Sequence, residues 1–229
     1  MRPLLVTLAI ALLLGGLGVV ALRHLPPEWD PREPLDLAAP PNAMTAWKLR
    51  RLGGDGEACR AAFDISSIAT RPVLDRPSAV GCPIENAMLL PAAVAPRPNT
   101  PTVTCRLAAA WTLFERHTLQ PAAREHLGSE VASIRHLGTF ACRNVNHASS
   151  GRRSQHATAN AIDIAGFVLA DGREISLLRH WNEGAEPAAF LRAVRDGACR
   201  WFKAVLGPDH DAAHRDHFHF DMGPWRACR

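Results

Sequence analysis

Six cysteines, Cys59, Cys82, Cys105, Cys142, Cys199 and Cys228, constrain this chain most. They are even in number and widely spaced, and none precedes Cys59. No two stand as C-x-x-C, which argues against a zinc ribbon or a thioredoxin-type redox pair. Such a set points to disulfides formed in an oxidising compartment. Joining neighbours along the chain gives the expected pairs Cys59–Cys82, Cys105–Cys142 and Cys199–Cys228. The 229 residues leave room for one medium domain plus an appendage. Hydrophobic residues make up 47% and charged residues 21%, enough apolar material to bury a core.

The appendage is expected at the N-terminus. Leu4–Leu22 carries no charge and is flanked by Arg2 and Arg23. Its length matches the ~20 residues of a bilayer-spanning helix. It ends Val19-Val20-Ala21-Leu22, without the small-x-small site of a cleaved signal peptide. Residues 1–24 are therefore read as a single-pass inner-membrane anchor. Flanking charge nearly balances, so the cysteines set the orientation and place the C-terminal domain in the periplasm. Residues 25–42 hold six prolines and read as an extended tether. The domain proper is expected over 43–229. The net charge of +4 comes with scattered arginines and no aromatic-interleaved basic stripe, so nucleic-acid binding is excluded.

Within the domain the patterns alternate between helix and strand. Thr45 is expected to cap a short helix through Leu52, with another over Ala58–Phe63. Residues 91–101 are proline-rich and read as loop. Leu107, Ala110, Trp111 and Phe114 fall at helical spacing within Val103–Thr118. Strands are expected over Val131–Leu137, Phe140–Asn144, Ala161–Leu169, Glu174–Leu178 and Asp216–Met222. Phe190, Val194, Ala198, Phe202 and Val205 predict a helix over Pro187–Leu206, stopped by Gly207-Pro208. The sum is an α+β fold: a small antiparallel sheet with flanking helices, stabilised by disulfides.

Two segments carry chemistry: Ser154 to Gly166 and His214 to Met222. Strand alternation puts Ile162 and Ile164 on one face and Asp163 on the other, between Ala161 and Ala165. In the second segment Phe218, Phe220 and Met222 make a core face, while His217, His219 and Asp221 line the opposite one. Two adjacent strands can thus present imidazoles and a carboxylate to one point. Catalytic zinc takes three N/O ligands and keeps a fourth position open, and His156, Asp163 and His219 would supply them. His117, His126, His136, His147 and His210 lack such a context and are read as surface residues.

These motifs resemble the zinc peptidases grouped around D-Ala-D-Ala carboxypeptidases, penicillin-insensitive murein endopeptidase and lysostaphin, whose fold the hedgehog signalling domain shares. More closely, the chain resembles the bacterial extensin-like C-terminal domain family over roughly 34–229. That likeness rests on Pro34–Leu37, Cys142-Arg143, Ser154–Ala157, Asp163–Phe167, Asp196–Arg200 and His214–Asp221. The peptidase resemblance implies zinc ligands His156, Asp163 and His219. It implies a general base at Asp216 or at His217; strand alternation favours His217, which shares a face with His219. Ala159 stands where the peptidases usually have glycine, which puts the loop shape in question unless its φ is negative. Arg152, Arg153 and Ser154 are placed to bind a substrate carboxylate or an oxyanion. The implied activity is a zinc-dependent peptidase or amidase acting on cell-wall peptides, with peptidoglycan as partner. The alternatives are a non-catalytic zinc-containing envelope module and a disulfide-stabilised structural domain without metal.

Overall fold

The computed structural model describes residues 2–229. The helices are α1 (Arg2–Arg23), α2 (Ala43–Arg51), α3 (Gly56–Ile65), α4 (Cys105–Phe114), α5 (Gln120–Leu127), α6 (Leu177–His180) and α7 (Ala185–Ala198). The strands are β1 (Arg71–Val73), β2 (Ala87–Leu89), β3 (Ala95–Arg97), β4 (Thr102–Thr104), β5 (Val131–Gly138), β6 (Ala161–Leu169), β7 (Glu174–Ser176), β8 (Ala204–Leu206), β9 (Phe218–Asp221) and β10 (Ala227–Cys228). The main sheet has seven strands in the order β10-β8-β9-β6-β5-β3, with β7 on the free part of β6; β1-β2-β4 form a smaller sheet. The fold is α+β, as expected. The main sheet is larger than expected and not purely antiparallel, because β3 on β5 and β10 on β8 pair in parallel at its two edges.

One face of the sheet is the core. Helix α4 is buried on all sides, which explains its run of Leu107, Ala108, Ala109, Ala110 and Trp111. Phe114 at its end meets Phe220 at 5.4 Å and Phe202 at 5.5 Å in edge-on contacts, and Phe202 stacks on Phe220 at 4.8 Å. Such rings favour edge-to-face or offset geometry because of their quadrupoles. The chain stays helical past Phe114 through a π turn, Glu115–Leu119, into α5. Pro121 has no N–H to give a regular i→i−4 bond, and the wider turn accommodates it.

Several expectations are corrected. Among the described residues no helix is long and apolar enough to cross a membrane, so the anchor over 1–24 is not supported. Leu4–Leu22 does lie in a helix, α1. Residues 25–42 are not a free tether: Leu35 and Leu37 are buried in the core. The Leu37 N–H donates to Ser66 Oγ at 2.7 Å, and the Lys48 ammonium donates to the Pro27 carbonyl at 2.8 Å. Asn42, not Thr45, caps α2; Thr45 instead closes the capping box from the third helical position. Helix α7 ends at Ala198, and Ala204–Leu206 is a strand whose Val205 pairs with Phe220. Phe140–Asn144 is a loop that braces the segment after it: Ala141 N–H donates to His156 O, and Ser154 N–H to Arg143 O. His136 is not a surface residue; it is 7% exposed, its Nε2 2.9 Å from Asn99 O.

Three disulfides lock this arrangement: Cys59–Cys105, Cys82–Cys142 and Cys199–Cys228. Only the last matches the sequence-neighbour expectation. Packing of α3 against α4 places Cys59 beside Cys105, which leaves Cys82 to hold the 140–144 loop through Cys142.

Candidate metal centre

On the sheet face away from the core, β6 and β9 lie antiparallel with Asp163 directly opposite His219. Phe218 and Phe220 point into the core, so alternation sends His219 and Asp221 to the other face. His156 arrives from a 3₁₀ turn, Gln155–Thr158, whose start Ser154 caps by accepting the His156 N–H at 3.3 Å. Ala159 ends the turn in the left-handed conformation, φ +55° and ψ +28°. An L-residue there costs about 1–2 kcal/mol. Its methyl is fully buried against Ile84 and Ala87, which offsets part of that cost. The loop therefore adopts the shape a glycine would give, at a position where the sequence has none.

These elements bring His156, Asp163 and His219 together, with one ligand atom from each within 4.8 Å of the others. His156 Nε2 lies 3.1 Å from His219 Nδ1 and 3.1 Å from Asp163 Oδ2. His219 Nδ1 lies 2.9 Å from Asp163 Oδ1. The outer ring nitrogens fix the tautomers. His156 Nδ1 meets the Thr139 carbonyl at 3.3 Å, and His219 Nε2 meets Asp221 Oδ2 at 3.1 Å. Carbonyl and carboxylate oxygens only accept, so both outer nitrogens carry protons. With each ring in its neutral form, the inner nitrogens would aim two lone pairs at each other beside two carboxylate oxygens. Such a convergence calls for protons or a metal cation. Histidine ligands are oriented in this way, with the second N–H given to a carboxylate or backbone carbonyl. The residues fit a zinc ion on donor chemistry: two imidazoles, one carboxylate and an outer hydrogen bond for each imidazole.

The electrostatics agree with that convergence. Burial works against charge on Asp163, but hydrogen bonds from His156 and His219 outweigh it and hold the carboxyl well below the usual range. Burial likewise disfavours the His219 cation, yet its bonds to Asp163 and Asp221 raise its pKa to about 9.

His217 and Asp216 act as a pair. His217 Nδ1 is 2.8 Å from Asp216 Oδ1, so its N–H donates to that carboxylate. The ring's Nε2 faces the cluster, 3.8 Å from Asp163 Oδ1. The two sequence candidates for a base thus occupy successive places in one chain of contacts. Asp163, His217 and His219 line a cleft of about 480 Å³ whose walls include Arg143, Arg152, His214 and Trp225, with His156 buried behind them.

The other expected residues have varied placements. Arg152 lies over the Trp225 ring at 5.6 Å, on the cleft wall. Arg153 also lines the cleft, but its guanidinium is bound to the Val80 carbonyl and to Asn144 Oδ1 at 3.1 Å, strapping two loops together. Ser154 is buried and caps the His156 turn. Sequence reasoning placed Asp221 on the site face and His214 at the start of the segment without giving either a role, and passed over Thr139 and Asp211. Asp221 was visible as the second residue after His219 on the same strand face. Thr139 contributes a backbone carbonyl, which no side-chain motif signals.

An α+β domain with a two-histidine, one-aspartate cluster on an open sheet face is the class that the fold and site define. Residues 57–229 match the family model described as Extensin-like protein C-terminus, and the chain belongs to that family. No curated protein and no solved structure matches it.

Proposed function

We propose that this domain is a zinc-dependent hydrolase that cleaves amide bonds in cell-wall peptides outside the cytoplasm. The observation that carries the reading is the convergence of His156 Nε2 and His219 Nδ1, 3.1 Å apart, each ring with an outer hydrogen-bond partner and both flanking Asp163. The likeness of these motifs to the zinc peptidases of wall metabolism supports the reaction class, and the three disulfides fit an oxidising compartment.

Zinc, when bound, supplies Lewis acidity that polarises a carbonyl and makes a water more acidic. The chain's own residues do the rest. Asp216 accepts the His217 Nδ1–H, so the neutral ring presents its lone pair at Nε2, the atom placed to take a proton from a water in the cleft. Asp216 then stabilises the imidazolium and keeps the ring aimed inward. The same Nε2–H can return the proton to a leaving amine. Arg152, stacked on Trp225, offers a cation on the cleft wall to an anionic part of the substrate.

The test is digestion of purified peptidoglycan and synthetic wall peptides by the zinc-loaded chain, read by mass spectrometry. New amine and carboxyl termini are expected, with turnover lost in His217→Ala while zinc is retained. A zinc-loaded chain that binds wall fragments and cuts none contradicts the hydrolase reading and leaves the non-catalytic module.

A further inference from the structure

We propose a second divalent-metal site on the outer rim of the same cleft, formed by His210, Asp211 and His214. One ligand atom from each lies within 4.8 Å of the others. The segment reads His-Asp-x-x-His, and the 3₁₀ turn Ala212–His214 folds its two ends toward each other. The His210 and His214 rings stand 5.4 Å apart at 62°, close to the 5.0 Å and 57° of the inner His156 and His219 rings.

The carboxylate between them is already held in place. Asp211 Oδ1 caps the turn, accepting the Ala213 N–H at 2.9 Å and the His214 N–H at 3.1 Å, and lies 2.7 Å from His214 Nδ1. Oδ2 faces His210 Nε2 at 3.5 Å. A capping role explains Oδ1 alone. It does not explain a second imidazole drawn to Oδ2 from the other side of the turn. Two imidazoles with one carboxylate suit zinc, copper or nickel and not calcium or magnesium, which prefer all-oxygen shells. The His214 ring lies 5.3 Å from that of His217 and 5.9 Å from that of His219, so the outer cation sits one imidazole layer from the inner cluster. The His210 and Asp211 side chains are 33% and 43% exposed, against at most 16% for the inner three, so the outer site holds its ion more weakly.

The experiment is calorimetric titration of the metal-stripped full chain with zinc, beside His210→Ala and His156→Ala. Two equivalents are expected for the parent. His210→Ala is expected to lose the weaker and keep the tighter, and His156→Ala the reverse. His210 is on the surface, so this variant keeps its fold, checked by its circular dichroism; His214→Ala gives a second, independent removal of the outer ligand set. One equivalent in the parent, abolished by His156→Ala and unchanged by His210→Ala and His214→Ala, overturns the outer site and leaves the inner one standing. One equivalent abolished by His210→Ala but kept in His156→Ala supports the outer site and overturns the inner.

Discussion

Asp221→Asn isolates what the outer hydrogen bond contributes to the centre. Asp221 Oδ2 accepts from His219 Nε2 at 3.1 Å, while Oδ1 accepts the Gly223 N–H at 2.8 Å. Asparagine keeps the size and can keep the bond to Gly223. It then turns an NH₂ toward His219 Nε2, so two donors oppose each other. The ring relieves this by moving its proton to Nδ1, the atom that would bind the proposed cation. Losing such an outer partner typically weakens metal binding roughly 10- to 100-fold, or about 1.4–2.7 kcal/mol. Competition with a chromophoric zinc chelator near neutral pH reads this directly. Asp216→Asn is the control: Asp216 contacts His217 and none of the three ligands, so affinity is expected to stay within about threefold of the parent. Unchanged affinity in Asp221→Asn refutes the tautomer argument. Complete loss, as severe as in His219→Ala, refutes it differently, by making Asp221 itself a ligand.

Three further outcomes are expected. In metal-free protein, His219 has a pKa raised from 6.5 to about 9; a raised histidine stabilises fully below pH 6.5 and loses that contribution as pH rises through about 9. The urea midpoint should therefore fall across that window, and fall less in Asp163→Asn; a midpoint that rises contradicts the assignment. Replacing Cys82 and Cys142 together by serine removes a cross-link spanning 60 residues, expected to cost about 4 kcal/mol by loop entropy, and an unchanged melting temperature would contradict that. Leu37→Ala is expected to cost about 2–5 kcal/mol, because Leu37 is buried in the core; a negligible change would restore the tether reading.

The centre was legible because strand alternation is a strict rule. Phe218, His219 and Phe220 admit one sorting of faces, and Ile162, Asp163 and Ile164 admit the matching one. Pairing of Asp163 with His219 then follows from laying those two strands side by side. Elsewhere the patterns were degenerate. Phe202 and Val205 continue the apolar phase of α7, yet they serve equally in a bend followed by β8, and only pairing with β9 decides between them. Leu35 and Leu37 were hidden among prolines, whose stiffness suggested a spacer, although two leucines spaced by one residue can still reach a core. The disulfide pairing depends on which helices pack, a long-range fact that cysteine spacing does not encode. The Thr139 carbonyl and the left-handed Ala159 are backbone features, and residue type alone signals neither.

The most direct test of the account is the metal content of the full chain as purified without added metal, by plasma mass spectrometry, beside His156→Ala. His156, Asp163 and His219 acting together predict tightly held zinc in the parent, surviving dialysis and lost from the variant. Parent protein that remains metal-free after zinc reconstitution and dialysis, with His156→Ala indistinguishable from it, would contradict the central claim.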